Sequence, residues 1–204
     1  FATVITAAPC VTGSNPTLTR LELAMTTLSD PFFLQLDKSG LLLPNLTHLN
    51  LRQCVNLTDT SLKIIMAKCK DALEALFIDL CPYFEDIRGL KKFKKLTSLG
   101  IGESKAPEPR IKEVLAKLVP QLRELDASFT AITDKTFEFI EENAMFPAML
   151  HVNIRKTVVT KATLARFQKC FGNLETLIIS SCELDHGFGK YVSYKNLKRL
   201  ESSL

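Results

Sequence analysis

Along this chain the apolar positions switch period repeatedly, from the alternation of a strand to the three-and-four spacing of a helix. The stretch Leu46 to Lys70, LTHLNLRQCVNLTDTSLKIIMAKCK, contains one such switch. Leu49 and Leu51 alternate with polar residues, as in a half-buried strand, whereas Leu62, Ile65, Met66 and Cys69 recur on one helix face. Between them Thr58 offers an oxygen to an early helix amide and Asp59 places negative charge at the positive end of the helix dipole, so a helix is predicted to begin there. The strand half returns as LTRLEL at 18, LTHLNL at 46, LEALFI at 73, LTSLGI at 96, LRELDA at 122, MLHVNI at 149, LETLII at 174 and LKRLES at 197, in steps of 28, 27, 23, 26, 27, 25 and 23 residues. Seven turns and the start of an eighth are expected over 18–204. Residues 1–17, with Pro9, Gly13, Pro16 and no helix period, read as an N-terminal cap or the tail of a preceding repeat.

A second regularity was not used to set this register. The ninth residue of each turn is Thr26, Cys54, Cys81, Ser104, Thr130, Thr157 and Cys182, each small and able to donate a hydrogen bond. Such a side chain is expected to turn inward where the strand ends and satisfy loop carbonyls of its own or the neighbouring turn. Helix starts follow at Leu28-Ser29-Asp30, Leu57-Thr58-Asp59, Ile132-Thr133-Asp134, Val159-Thr160-Lys161 and Leu184-Asp185, where an apolar anchor precedes a capping side chain. Besides the face already described, Phe33 and Leu36, then Ile111, Val114, Leu115 and Leu118, then Phe137 and Ile140, and Leu164 and Phe167 are expected to face the sheet. The two 23-residue turns leave room only for a helical turn around Ile87 and Leu90 or around Phe188 and Tyr191, and Ala106 to Arg110, with two prolines, reads as a stiff loop before a helix near Ile111. The expected architecture is an α/β solenoid, with a curved parallel sheet inside and helices and short 3₁₀ turns outside.

Composition narrows the function. A 204-residue chain that is 46% hydrophobic and 24% charged, with mean hydropathy +0.10, can bury a core as one domain. Its 26 basic and 22 acidic residues leave a net charge of +4, too mild to mark a nucleic-acid or membrane surface. The longest apolar runs, Leu41 to Leu43 and Leu115 to Val119 with its Lys117, are far too short to span a bilayer, and the start of the chain shows no secretory signal. Cysteines at 10, 54, 69, 81, 170 and 182 follow the repeat rather than a disulfide spacing and read as buried thiols, which favours a cytoplasmic or nuclear setting.

Together, L-x-x-L-x-L-x-x-C-x-x-L-T-D around Cys54 and Leu57-Thr58-Asp59, closed by Cys69 four residues before the next repeat and echoed by Cys170 before Leu174, resembles the cysteine-containing class of leucine-rich-repeat proteins. The resemblance covers roughly nine-tenths of the chain. Many members of that class are substrate receptors of cullin-type ubiquitin ligases, with an F-box or VHL-box ahead of the repeats. No such box is visible here, so the adaptor-binding part implied by the resemblance would belong to a region of the parent protein outside this chain.

No reaction is legible. Cys182 with Asp185 and His186 could be read as a nucleophile set, but Cys182 falls on the inward ninth position and Gly187 to Gly189 make the segment a turn. There is no C-x-x-C pair and only three histidines, at 48, 151 and 186, so neither a metal nor a cofactor is implied. Lys91-Lys92-Phe93-Lys94-Lys95 reads as a solvated loop whose Phe93 tucks into the core. The third, fifth, seventh and eighth residues of each turn are expected to line the concave sheet, the usual binding face of solenoids. On that face Met25, Arg52, Phe77, Asp79, Leu80, Phe129, Arg155, Lys156 and Ile178 form the candidate partner-binding set, because large apolar groups flanked by arginine make binding hot spots. Gly100 and Gly102 are expected to leave a shallow notch between the Phe-bearing turns. The expected function is a non-enzymatic protein-interaction module. The alternatives are a small-ligand repeat receptor and nucleic-acid contact through Lys91 to Lys95.

Overall fold

In every turn from Leu46 to Ile179 the first, fourth and sixth residues, such as Leu46, Leu49 and Leu51 or Leu73, Leu76 and Ile78, are almost completely removed from water. Alternation buries one side of a three-residue strand and frees the other, and the computed structural model shows this outcome in turn after turn. It describes residues 17–40, 43–69, 71–143, 148–184 and 194–202. Residues 1–16 with Cys10, the segment holding Asp185, His186, Phe188 and Tyr191, and Leu204 lie outside the described residues, together with the expectations placed on them.

The elements run β1 (Arg20–Glu22), α1 (Asp30–Lys38), β2 (His48–Asn50), α2 (Asp59–Cys69), β3 (Ala75–Phe77), a 3₁₀ helix (Ile87–Lys92), β4 (Ser98–Gly100), α3 (Glu108–Leu118), β5 (Glu124–Asp126), α4 (Asp134–Asn143), β6 (His151–Asn153), α5 (Lys161–Cys170), β7 (Thr176–Ile178) and β8 (Arg199–Glu201). All eight strands are parallel and lie in chain order. The register pairs equivalent repeat positions throughout, Leu21 with Leu49, Leu49 with Leu76, and so on to Leu177 with Leu200. Strands stack at about 4.8 Å while packed helices need about 8–10 Å, so the helix side spreads and the sheet becomes the inner, concave face of the coil.

Most helices begin and bury as the pattern predicts. Thr160 caps α5 by accepting from the Ala162 amide, and Thr58 and Thr133 do the same for Thr60 and Lys135. Ile111, Val114, Leu115 and Leu118 of α3, Phe137 and Ile140 of α4, and Leu164 and Phe167 of α5 are buried, whereas Leu36 and Met66 are only partly so. Two helix starts differ from expectation. Ser29 makes no side-chain cap bond, because Pro31 has no amide to donate at the position such a cap would bind. The 106–110 segment is not a stiff loop up to Ile111. The helix starts at Glu108, since Pro109 falls in the first turn, where a missing N–H costs nothing.

The short turn after β3 forms the predicted 3₁₀ helix, with Ile87 and Leu90 inward. Phe84 and Phe93, both at most 2% exposed, fill the volume that a longer helix would occupy elsewhere. No helix among the described residues is long and apolar enough to cross a membrane.

Candidate functional site

The ninth-position side chains do satisfy carbonyls, and they do so in two ways. Thr26, Thr130 and Thr157 donate to the carbonyl three residues back, of Leu23, Ala127 and Ile154, at 2.7–2.8 Å. Cys54, Cys81 and Cys182 reach across instead, to Leu23, Leu51 and Ile154 of the preceding turn, at 3.0–3.1 Å. The five cysteines among the described residues are all free thiols. Burial pushes the thiols of Cys69 and Cys81 up to about 12, and it raises Cys170 and Cys182 as well, so these sulfurs favour the protonated form over the nucleophilic thiolate.

Just before each of these positions the backbone does something the pattern does not announce. Met25, Gln53, Leu80, Glu103, Phe129, Lys156 and Ser181, the eighth residue of each turn, all have φ between +52° and +60°. The left-handed conformation costs a non-glycine residue on the order of 1–2 kcal/mol. It persists because the amide so oriented extends the sheet ladder: Met25 donates to Arg52, Gln53 to Asp79, Leu80 to Gly102, Glu103 to Ser128, Phe129 to Arg155 and Lys156 to Ser180, all at 2.7–3.0 Å. The result is a ridge of side chains along the strand-exit edge of the sheet. Of these, Met25 is 76% and Phe129 39% exposed, and Leu80 is half-buried.

On this face the candidate residues fall into separate groups. The Arg52 guanidinium lies 4.2 Å above the Phe77 ring and donates from Nε to Asp79 at 2.7 Å. Asp79 also accepts from the Gly102 amide at 2.9 Å and is only 7% exposed, so it is a buried support for Arg52 rather than a surface contact. Burial raises its pKa, with the Arg52 bond and charge and the Gly102 amide pulling the other way. The notch expected at Gly100 and Gly102 is occupied. A Cβ on Gly100 would sit 2.3 Å from an Asp79 carboxylate oxygen, and one on Gly102 would crowd Asp79, Asp126 and Ser128 at 3.0–3.1 Å, so these glycines make room for the carboxylate.

Further along the coil, Arg155 and Lys156 sit over the Phe129 ring at 5.6 and 5.0 Å. Phe77 belongs to the fifth-position row and Phe129 to the eighth, so the two aromatics do not share a row. Ile178, half-buried, joins Arg52 in a groove of about 390 Å³ lined also by Glu124, Asp126, His151, Asn153 and Arg199. Asp126 is held by Ser128 at 2.6 Å and by the Asn153 side-chain amide at 2.8 Å.

A further set of carboxylates, of which the sequence pattern marks only Asp59 as a helix-dipole charge, works between turns. Each brackets the next turn. Asp30 accepts from the Thr58 amide and hydroxyl and from the Ser61 hydroxyl at 2.6–3.0 Å; Asp134 does the same with Thr160 and Thr163 at 2.5–2.9 Å. Glu108 takes the hydroxyls of Thr133 and Thr136 at 2.5 and 2.6 Å, and Asp59 the amides of Glu85 and Asp86 at 3.0 Å. Burial works against the charge of Asp30, Glu108 and Asp134, but these bonds outweigh it and their pKa values are lowered. The sequence carries a signal for this, a T-x-x-S/T at three helix starts with an acid one turn earlier.

No protein-family model matches the chain, nor does any curated protein. In structure it is similar to an internalin from Listeria monocytogenes strain 4b F2365, with TM-score 0.56 and 13% identity over 91% of this chain and 54% of that one. It is likewise similar to a chain of the Rad7 and Elc1 complex of yeast, with TM-score 0.58 and 15% identity over 86% of this chain and 54% of that one. The chain thus spans about half the length of each. Likeness at this identity establishes the fold, a leucine-rich-repeat solenoid, and nothing finer.

Proposed function

We propose that the chain is a non-enzymatic protein-interaction module, a leucine-rich-repeat domain over 18–204 that binds a partner on its concave face. In a larger scaffold such as a cullin-type ubiquitin-ligase receptor it would supply the substrate-binding part, with an adaptor held by a region outside this chain. The observation that carries the reading is the pair of aromatic–cation clusters on the sheet side, Phe77 under Arg52 and Phe129 under Arg155 and Lys156. Aromatic and arginine side chains held in place before binding lose little entropy on contact, and such residues dominate interface energetics. The buried Asp79 bond does the holding for Arg52: it uses Nε and leaves the two terminal nitrogens of the guanidinium for a partner. Likeness to a chain crystallised in a complex, Rad7 with Elc1, and to an internalin is consistent with a repeat surface that serves other proteins. A cytoplasmic or nuclear location accords with the reduced, buried thiols.

The test is binding to an identified partner, recovered from lysate on the immobilised domain. Phe129→Ala is expected to weaken it by roughly thirtyfold, the effect of losing a central anchor worth about 2 kcal/mol. Asp79→Asn, which loosens Arg52 without touching the surface, is expected to weaken it less and mainly through faster dissociation. Lys91→Glu with Lys95→Glu, on the opposite side, is expected to leave it unchanged. Dependence on the lysine pair and indifference to Phe129 would remove the concave face from consideration.

One observation favours the small-ligand alternative. The groove beside Ile178 has about 390 Å³ and convergent polar groups, within the range of ligand pockets. Thermal stabilisation by a small molecule that is lost in Ile178→Glu would move the assignment there.

A further inference from the structure

A further groove lies on the outer face and follows from a defect in the repeat. Helices α2 and α3 each have 11 residues, and the turn between them supplies only the six-residue 3₁₀ helix. A 3₁₀ turn is narrower than an α-helix, and this one is drawn inward by Ile87 and Leu90, both fully buried, so the flanking helices stand proud of it. Between them opens a groove of about 360 Å³ lined by Leu62, Lys63 and Met66 of α2, Asp86, Arg88, Gly89, Lys91 and Lys92 of the short turn, and Glu113 of α3.

Its floor is apolar and adaptable. Met66 is half-buried, and a Cβ on Gly89 would come within 2.0 Å of its terminal methyl, so the missing side chain of Gly89 is what lets that methyl lie down on the floor. Methionine on such a floor can repack around a visiting side chain. The rim is basic. Four cations, Lys63, Arg88, Lys91 and Lys92, face two carboxylates, and both carboxylates are committed: Asp86 forms a forked pair with Arg88 at 2.8 and 2.9 Å, and Glu113 pairs with Lys91. The Arg88 bond comes first among the causes that hold Asp86 at about 2, so that pair persists at any physiological pH. The groove keeps the excess positive charge of Lys63 and Lys92.

We propose that this outer groove docks a short acidic, amphipathic helix of a partner protein, laid where the repeat lacks a helix of its own. Its apolar side chains enter over Met66 and Leu62, and its carboxylates meet Lys63 of α2 and Lys92 at the end of the short turn. The charge asks for an anion and the floor for a hydrocarbon side chain, and an acidic helix with apolar residues three or four apart supplies both on one face. A phosphate or a nucleic-acid backbone satisfies the rim only.

The probe is a fluorescein-labelled, helix-stapled peptide of about 12 residues, with glutamates flanking two leucines four positions apart, followed by anisotropy. Binding is expected to fall at least tenfold when the leucines become alanines and to vanish when the glutamates become lysines. Lys63→Glu with Lys92→Glu, an exposed pair whose variant should keep its melting temperature, is expected to weaken binding at least tenfold. Gly89→Ala, which pushes the Met66 methyl into the groove without changing charge, is expected to reduce it severalfold. Phe129→Ala is expected to have no effect, so this groove and the concave face succeed or fail separately. Binding indifferent to the Lys63 and Lys92 exchange, no binding of the acidic peptide, or equal binding of the leucine-free peptide or a single-stranded oligonucleotide would each overturn the proposal.

Discussion

The two edges of the coil are both laced by recurring hydrogen bond motifs, yet they respond to pH differently. At the strand-exit edge the donors are neutral: threonine hydroxyls satisfy their own turn and cysteine thiols reach back to the previous one. The carboxylate nearby, Asp79, is pushed up by burial. At the helix-start edge the acceptors are carboxylates, Asp30, Glu108 and Asp134, and the hydroxyls and amides they collect from the next turn hold their pKa values down. The comparison separates two ways of joining repeats. Thiols on backbone carbonyls of the previous turn tie the sheet side at any ordinary pH, whereas charge ties the helix side only while it exists.

The largest break is expected at Cys54, which is completely buried and donates to Leu23. Cys54→Arg would bury a charge without a partner and is expected to abolish folding, read as loss of soluble protein or of a cooperative melt. Next comes Asp134→Ala, which strands two buried or half-buried hydroxyls and the Thr160 amide, and a cost of about 2 kcal/mol is expected from thermal or urea unfolding.

The pH experiment sharpens the comparison directly. Because Asp30, Glu108 and Asp134 have folded pKa values below their unfolded ones, near 3.8 and 4.5, their contribution is complete above that range and lost as pH falls through it toward the folded values. Asp79 has the opposite sign: its raised folded value means that its contribution is present below about pH 3.8 and declines as pH rises through the folded value. Urea unfolding between pH 7 and pH 3 is therefore expected to show Asp134→Asn flattening the acid-side loss and Asp79→Asn steepening it. Equal slopes in the two variants would contradict the assignment of signs.

The smallest effect is expected from Cys81→Ser. Serine already holds this position as Ser104, where it bonds the Phe84 carbonyl at 3.4 Å and accepts from Ala106. The serine hydroxyl is expected to find a carbonyl of its own turn, as threonine does, or of the preceding one, as Ser104 does, at a cost below about 1.5 kcal/mol in melting experiments.

Much of this design can be read in the letters. Apolar residues at the first, fourth and sixth positions of the first seven turns decide strand register, because slipping by one residue would turn every buried side chain to water. The small donors at the ninth position announce their bond, and the 23-residue spacing announces the 3₁₀ turn at Ile87–Lys92. These features are local or strictly periodic, and chain geometry alone enforces them. Other features were settled only when turns stacked. Nothing in Met25, Gln53, Leu80, Glu103, Phe129 or Lys156 advertises a left-handed backbone, since the reward is a hydrogen bond from the amide to a carbonyl some two dozen residues later. Asp79, assigned to the open face, sank between Gly100 and Gly102 because those glycines belong to the next turn, and Asp30 found Thr58 and Ser61 only across a repeat. The sequence by itself determined the period, the buried stripe and the short 3₁₀ turn at Ile87–Lys92. The tertiary structure decided which polar side chains remain on the surface, because a polar group is buried or exposed according to the partners that a neighbouring turn brings to it.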